Sequence, residues 1–330
     1  MPQANTIGII GTGHYLPDTI VTNQDFVSRG LDTSDEWIQT RSGISSRHIT
    51  KTNQPTSDLA TKAAQQAISN SPITLNDIDF IIVATATGDH VGFPSTACLV
   101  QQKLNISKPI PCFDVSAACS GFTYALSVGY SRILANMGKY GLIIGAESLS
   151  NIVDWSDRRS CILFGDGAGA AIIGPVESGG FKAFHEGADG NFADILRVDM
   201  QSDTQDFNQT NHPQPRPILH MDGRAVFKKA VQSVEESLTT LLTNANTDIH
   251  SIDYVVAHQA NIRILELVAS KLNIPITKFL NNIDHVGNTS AASIPLILSE
   301  QQSTFKKGDI ICLLGFGAGF TWSSILMEWS

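Results

Sequence analysis

Three side chains in this sequence are of types that can carry nucleophilic chemistry: the thiol of Cys119, the imidazole of His258 and the carboxamide of Asn288. Cys119 lies in DVSAACSGFTYAL, residues 114–126. Ile110 to Val115 reads as a short buried strand. After it, Phe122, Ala125, Leu126, Gly129, Ile133 and Met137 recur at three- and four-residue intervals, the apolar stripe of a buried helix. The cysteine therefore falls near a helix N-terminus, where unpaired N–H groups and the helix dipole favour the thiolate. An ordinary thiol, with a pKa of about 8.5, is only a few per cent ionised at neutral pH, so a modest depression makes it a competent nucleophile. Ser116, Ala117, Ala118, Ser120 and Gly121 are small enough to let an acyl group approach the sulfur. A small core residue is the other reading of Cys119.

His258 ends the apolar strand IDYVVA, and Asn288 stands in a glycine-containing turn before a helix beginning near Ser290. A buried structural histidine and a helix cap are the ordinary alternatives. A cysteine, histidine and asparagine also serve papain-like hydrolases, in which histidine deprotonates the thiol. The run Gly315-Phe316-Gly317-Ala318-Gly319 follows a buried strand and could offer a backbone N–H to a developing oxyanion.

The elements that must position these residues follow from length and pattern. The chain has 330 residues, 42% hydrophobic and only 16% charged, enough for a large core in two structural halves. A net charge of -9 argues against non-specific nucleic-acid binding. No secretion signal or membrane-spanning run is expected, and five scattered cysteines have neither zinc-site nor disulfide spacing, so a cytoplasmic location is expected.

Thr6 to Gly13 reads as a first strand. TSDEWIQTRSGI, residues 33–44, reads as a capped short helix carrying Trp37 and Arg41, and Ser57 as the cap of a helix through Ser69. Ile78 to Ala86 and Gly141 to Ala146 are buried strands, with a helix from about Pro94 to Leu104 between them. Cys161 to Ile173 is a strand-rich run around a glycine turn. A strand pair near Phe181 and Leu196 precedes a polar surface loop, QSDTQDFNQTNHPQPRP, and a long amphipathic helix from Val226 to Leu242. The glycines of residues 11–13 and of GDGAGA lack the rest of a dinucleotide or phosphate-loop pattern.

The pattern is written twice. IDYVVA echoes IDFIIVA, and DIICLLG near Asp309 echoes GLIIG near Gly141, both at an offset of about 170 residues. Duplicated halves, 1–174 carrying the cysteine and 175–330 carrying the histidine and asparagine, would bring the three to neighbouring strand ends, where open α/β sheets bind ligands. Such halves also argue against a papain-like fold.

DVSAACSGFTYAL, AHQANIRI (257–264), GNTSAASIP (287–295) and GFGAGFTW (315–322), with TSDEWIQTRSGI and FGDGAGAAI, together resemble β-ketoacyl-[acyl carrier protein] synthase III of the thiolase-like superfamily. The resemblance runs from the first strand to the last. It implies a duplicated five-layer α-β-α-β-α fold, a homodimer, and the condensation that initiates fatty acid synthesis, with no metal or redox cofactor. Cys119 would take the acetyl group of acetyl-CoA; malonyl-acyl carrier protein would then decarboxylate and attack it. By the same resemblance the N–H groups of Cys119 and Ala318 form the oxyanion hole, and His258 and Asn288 donate to the malonyl thioester oxygen. Trp37 and Arg158 meet the CoA adenine, while Arg41, Gly223, Phe227 and Asn261 line the pantetheine channel. Phe316 and Phe93, the latter from across the dimer, bound a short acyl pocket. Arg263, Lys228 and Lys229 are candidates for a basic rim facing the acidic carrier protein. Ala318 stands where glycine is common and Arg224 where a small amide contacting pantetheine is usual. Related readings are a synthase III-like enzyme of secondary metabolism with another primer, and a non-catalytic scaffold that binds carrier protein. A degradative thiolase would need a second cysteine in the 315–319 loop, which has none.

Overall fold

A computed structural model describes residues 6–200 and 217–330. The polar stretch 201–216, most of the expected surface loop, lies outside them. Two five-stranded sheets organise the chain. The first contains β1 (Thr6–Tyr15), β2 (Phe80–Ala84), β3 (Cys112–Val115), β4 (Gly141–Glu147) and β5 (Gly167–Val176), in the spatial order β1-β5-β4-β2-β3. The second contains β6 (Gly180–Ala188), β7 (Tyr254–Ala257), β8 (Phe279–Leu280), β9 (Ile310–Gly317) and β10 (Thr321–Glu328), in the order β6-β10-β9-β7-β8. The two orders are the same when five is added to each strand number. Pairing sense follows: β4-β2-β3 and β9-β7-β8 are parallel, and the two long strands beyond them antiparallel. A division at residue 174 falls inside β5, two residues before its end.

Helices complete five layers. α1 (Asp35–Ser42) belongs to a cap over the tunnel described below. α2 (Thr56–Ser69) and α3 (Thr96–Lys103) cover the outer face of the first sheet; α5 (Gly223–Ala245) and α6 (Ile262–Lys271) lie outside the second. α4 (Gly121–Leu134) and α7 (Ser293–Glu300) lie between the sheets and touch both. The central layer is the most apolar: Phe122, Ala125 and Leu126 of α4 and Ile294, Ile297 and Leu298 of α7 are buried together with Ile82, Ile143, Leu313 and Ile325. Burial on every side explains why both helices read as nearly continuous apolar runs.

Several local expectations change. Helix α4 ends at Leu134, and Met137, expected on its buried stripe, is exposed. β3 is only half-buried, because it is the edge strand of its sheet. Ser57 does not cap α2: it lies inside the first turn, where its N–H and hydroxyl bind Asp89, and Pro55 takes the cap position. Phe181 and Leu196 do not belong to a strand pair. β6 pairs with β10, whereas Leu196–Met200 pairs with Pro217–Met221 in a separate ribbon. In 161–173, the strand begins only at Gly167, and Cys161 is a fully buried packing residue in the turn before it.

Candidate active site

Each half presents the same construction beside the cavity: a single 3-10 turn leading into a central helix. Ala118–Ser120 precedes α4 and Ser290–Ala292 precedes α7. Both turns open with a non-glycine residue in the left-handed region, Ala118 at φ 45° and Ser290 at φ 48°. Such backbone is costly without glycine and persists where the surroundings impose it. The opposing strand ends approach closely. A Cβ on Gly317 of β9 would lie 2.7 Å from the Cys119 nitrogen and 2.9 Å from its Cβ, and one on Gly145 of β4 would collide with the Ala291 carbonyl. Gly317 thus permits the contact that seats the cysteine.

Cys119 is 8% exposed, His258 1% and Asn288 5%, and all three line one cavity of about 530 Å³. His258 follows β7, and its backbone N–H donates to the Leu314 carbonyl. The ring packs edge-on against Phe316, with centroids 4.9 Å apart, and its Nδ1 lies 3.1 Å from the Ser293 hydroxyl. Burial pushes its pKa down to about 3, and a backbone hydrogen bond to Ser290 offsets only part of this. The imidazole is therefore neutral at physiological pH. With the Ser293 hydroxyl donating to Nδ1, the ring proton sits on Nε2, and that N–H is the donor the imidazole offers. Asn288 is pinned by backbone hydrogen bonds with Leu163 and Gly165, and its Oδ1 accepts from the Ser290 N–H. Its amide NH2 is the part left to donate.

Cys119 departs from the sequence expectation. It stands just before α4, as the pattern requires, but burial pushes the thiol up to about 12, assisted by the nearby Glu147 carboxylate; the neighbouring Ser290 hydroxyl opposes the rise. In this enclosed site desolvation outweighs the anion-stabilising groups. The sulfur is a thiol until something removes its proton.

Most other candidate residues meet the same cavity. Ala318 and Phe316 close its floor beside Cys119, while Trp37, Arg41, Gly223, Phe227, Asn261 and Arg263 line its walls and mouth. Asn261 also caps α6, accepting from the Arg263 N–H and donating to the Arg41 carbonyl. Arg158 lies over the Trp37 ring at 5.3 Å and pairs with Asp32. Arg224 does not line the cavity. Neither does Phe93, which is 88% exposed. Lys228 is exposed, but Lys229 is not on a rim: it is 9% exposed, bound to Asp189 at 3.0 Å and stacked over Phe192. The long α5 turns that position inward. Residues that the motifs did not single out include Ser290, Glu147, Arg159 and Arg197. With Arg41 and Arg263, the two arginines make four guanidinium groups on the cavity lining, which has no carboxylate among the described residues. Two of the four are ion-paired, Arg159 with Asp157 and Arg197 with Asp199, so Arg41 and Arg263 supply the net positive charge of the lining among the described residues.

Two sheets of one topology, with a cysteine and a histidine-asparagine pair delivered from opposite halves to one tunnel floor, describe the thiolase-like condensing class. Comparison with known proteins agrees. Residues 113–190 match the 3-Oxoacyl-[acyl-carrier-protein (ACP)] synthase III family and residues 242–329 its C-terminal family. The chain is 44% identical to the β-ketoacyl-[acyl-carrier-protein] synthase III of Fusobacterium nucleatum, over 98% of this chain and 99% of that one. It is 44% identical to the Clostridium tetani protein of the same name, with 98% of each covered. A crystal structure of 3-oxoacyl-[acyl-carrier-protein] synthase III from Aquifex aeolicus superposes with a TM-score of 0.89 at 42% identity, covering 98% of this chain and 100% of that one. The chain belongs to the β-ketoacyl-[acyl carrier protein] synthase III family and is an acyltransferase of the condensing type.

Proposed function

We propose that the protein condenses acetyl-CoA with malonyl-acyl carrier protein, giving acetoacetyl-acyl carrier protein, CoA and carbon dioxide, and so initiates fatty acid synthesis. The observation that carries this reading is the convergence of Cys119, His258 and Asn288 on one enclosed cavity. Cys119 attacks the acetyl thioester and holds the acetyl group. Malonyl-acyl carrier protein then enters, and neutral His258 and Asn288 donate hydrogen bonds to its thioester oxygen, stabilising the charge released as carbon dioxide leaves. The carbanion attacks the acetyl carbon while the N–H groups of Cys119 and Ala318 receive the oxyanion; one such donor is typically worth about 2.7–4 kcal/mol. The chemistry is complete without a metal or redox cofactor.

Trp37 and Arg158 are suited to sandwich an adenine, and Arg41, Gly223, Phe227 and Asn261 to border the pantetheine. Arg263 and Lys228 remain suited to an acidic carrier protein. A homodimer in the cytoplasm fits the family; no helix among the described residues is long and apolar enough to cross a membrane. Incubation with acetyl-CoA followed by peptide mass spectrometry tests the assignment. Acetylation is expected on Cys119 and absent in Cys119→Ala. His258→Ala is expected to acetylate yet lose condensation by at least about 10²-fold; loss of acetylation alone would contradict its role. Preference for a medium-chain acyl-CoA over acetyl-CoA would favour a secondary-metabolite synthase instead.

A further inference from the structure

Glu147 closes β4 with its side chain fully buried and no cation among the groups that set its ionisation. A lone interior carboxylate is expensive to keep. Its oxygens instead collect donors. The Thr87 hydroxyl lies at 2.5 Å, the Ala86 N–H at 3.1 and 3.2 Å, the Thr85 hydroxyl at 3.3 Å and the Ser290 hydroxyl at 3.1 Å. Ser290 also stands beside Cys119: the two 3-10 turns pack together, both residues line the cavity, and the Ser290 hydroxyl acts on the thiol. It is held there by its left-handed backbone and by its N–H bond to Asn288.

The duplicated architecture explains the placement. β4 and β9 are equivalent strands, and each ends against the 3-10 turn of the other half: Gly317 on Cys119, Glu147 on Ser290. One strand end carries no side chain so that the nucleophile can sit there. Its counterpart carries a carboxylate, one hydroxyl away from the same sulfur.

We propose that Glu147, acting through the Ser290 hydroxyl, receives the Cys119 proton when the acetyl group is taken up; this rests on the function proposed above. The Cys119 S–H donates to Ser290 Oγ while the Ser290 O–H passes to Glu147. The sulfur lone pair forms the new S–C bond, the CoA S–C bond breaks, and the proton returns from Glu147 to the departing CoA thiolate. No other reactant is needed. The relay moves one negative charge between two buried groups instead of creating one. Burial also raises the Glu147 pKa to about 7, so the carboxylate can both accept and return a proton near neutral pH. Burial and hydrogen-bond donors, not a charged neighbour, set its ionisation: the helices packed on β4 carry Asp58, Lys62, Tyr124, Tyr130, Arg132 and Glu300, and the thiol that feels the carboxylate is Cys119. Glu147 is thus a positioning and proton-holding residue that reaches the reaction through Ser290.

Single-turnover acetyl transfer from acetyl-CoA, measured across pH 5–9 on the full chain, tests the relay. The native rate is expected to rise with pH through a midpoint near 7. Glu147→Gln is expected to slow transfer by about 10²-fold and abolish that limb, and Glu147→Asp to restore part of the rate with a displaced midpoint. Ser290→Ala, which keeps the carboxylate, is expected to act like Glu147→Gln and serves if that variant does not fold; CoA binding by calorimetry reports folding in each. A native midpoint preserved in both Glu147→Gln and Ser290→Ala would overturn the relay, whether or not their rates fall. Failure of the native protein to acetylate at all would instead overturn the function on which the relay rests.

Discussion

The neutrality of His258 and the closeness of Gly317 to Cys119 both have consequences at single positions. Because burial depresses the histidine to about 3, the folded chain binds fewer protons there than the unfolded chain at any pH between about 3 and 6.5. Its contribution to stability is full above 6.5 and declines as pH falls below it. Between pH 7 and 5 the decline amounts to roughly 2 kcal/mol. Glu147 has the opposite sign: its raised pKa makes the folded chain bind more protons, so its contribution grows as pH falls from about 7 towards 4.5. Denaturant titrations of the native protein and His258→Gln at the two pH values separate the effects. The stability difference between them is expected to shift by roughly 2 kcal/mol in favour of the variant at pH 5, and a pH-independent difference would contradict a buried neutral imidazole. Gly317→Ala is a steric test. Its Cβ would press on Cys119 backbone within 3 Å, leaving no flexible side chain to yield. Acetyl transfer is expected to fall about 10²-fold, since displacements near 1 Å can have that effect. A native rate in this variant would mean that Gly317 does not seat the nucleophile.

At the scale of elements, the buried strands and central helices were legible because their apolar runs are long and occur twice. IDFIIVA and IDYVVA become β2 and β7, and GLIIG and DIICLLG become parts of β4 and β9. The nucleophile and the histidine were legible because each follows an apolar strand, whereas Asn288 follows the short helix Ile283–Val286 and was legible from its glycine-containing turn ahead of α7. What the pattern could not convey was which neighbour an element would meet. β3 has the composition of an interior strand but occupies an edge, and β6 pairs with β10 at the far end of the chain instead of with its neighbour in sequence. Lys229 reads as surface because it adjoins Lys228 on α5, yet one residue is 100° of helix, enough to turn it onto Asp189 and the aromatic ring of Phe192. Glu147 carried no motif at all. Its importance is visible only when the two halves fold together and the end of β4 meets the turn at Ser290.

At the scale of the whole molecule, the two most exposed large hydrophobic side chains among the described residues, Val91 and Phe93, lie in one segment. β3 exposes an unpaired strand edge, and the segment before α3 carries Val91 at 81% and Phe93 at 88% exposure, outside the chain's own cavity. A large aromatic held in water is unfavourable by roughly 1.5–3 kcal/mol relative to full burial, so a second copy covering this edge would recover what the single chain forgoes. If Phe93 of each copy bounds the other's acyl pocket, its size sets primer length. Sedimentation is expected to report a dimer of 35.5 kDa chains. Phe93→Ala is expected to keep acetyl transfer to Cys119 while raising kcat/KM for butyryl-CoA relative to acetyl-CoA by about tenfold, because each added methylene that finds apolar space contributes about 0.8 kcal/mol. A monomer, or a dimer whose primer preference ignores this substitution, would separate Phe93 from the acyl pocket and leave Phe316 and its neighbours on the same chain to limit the primer.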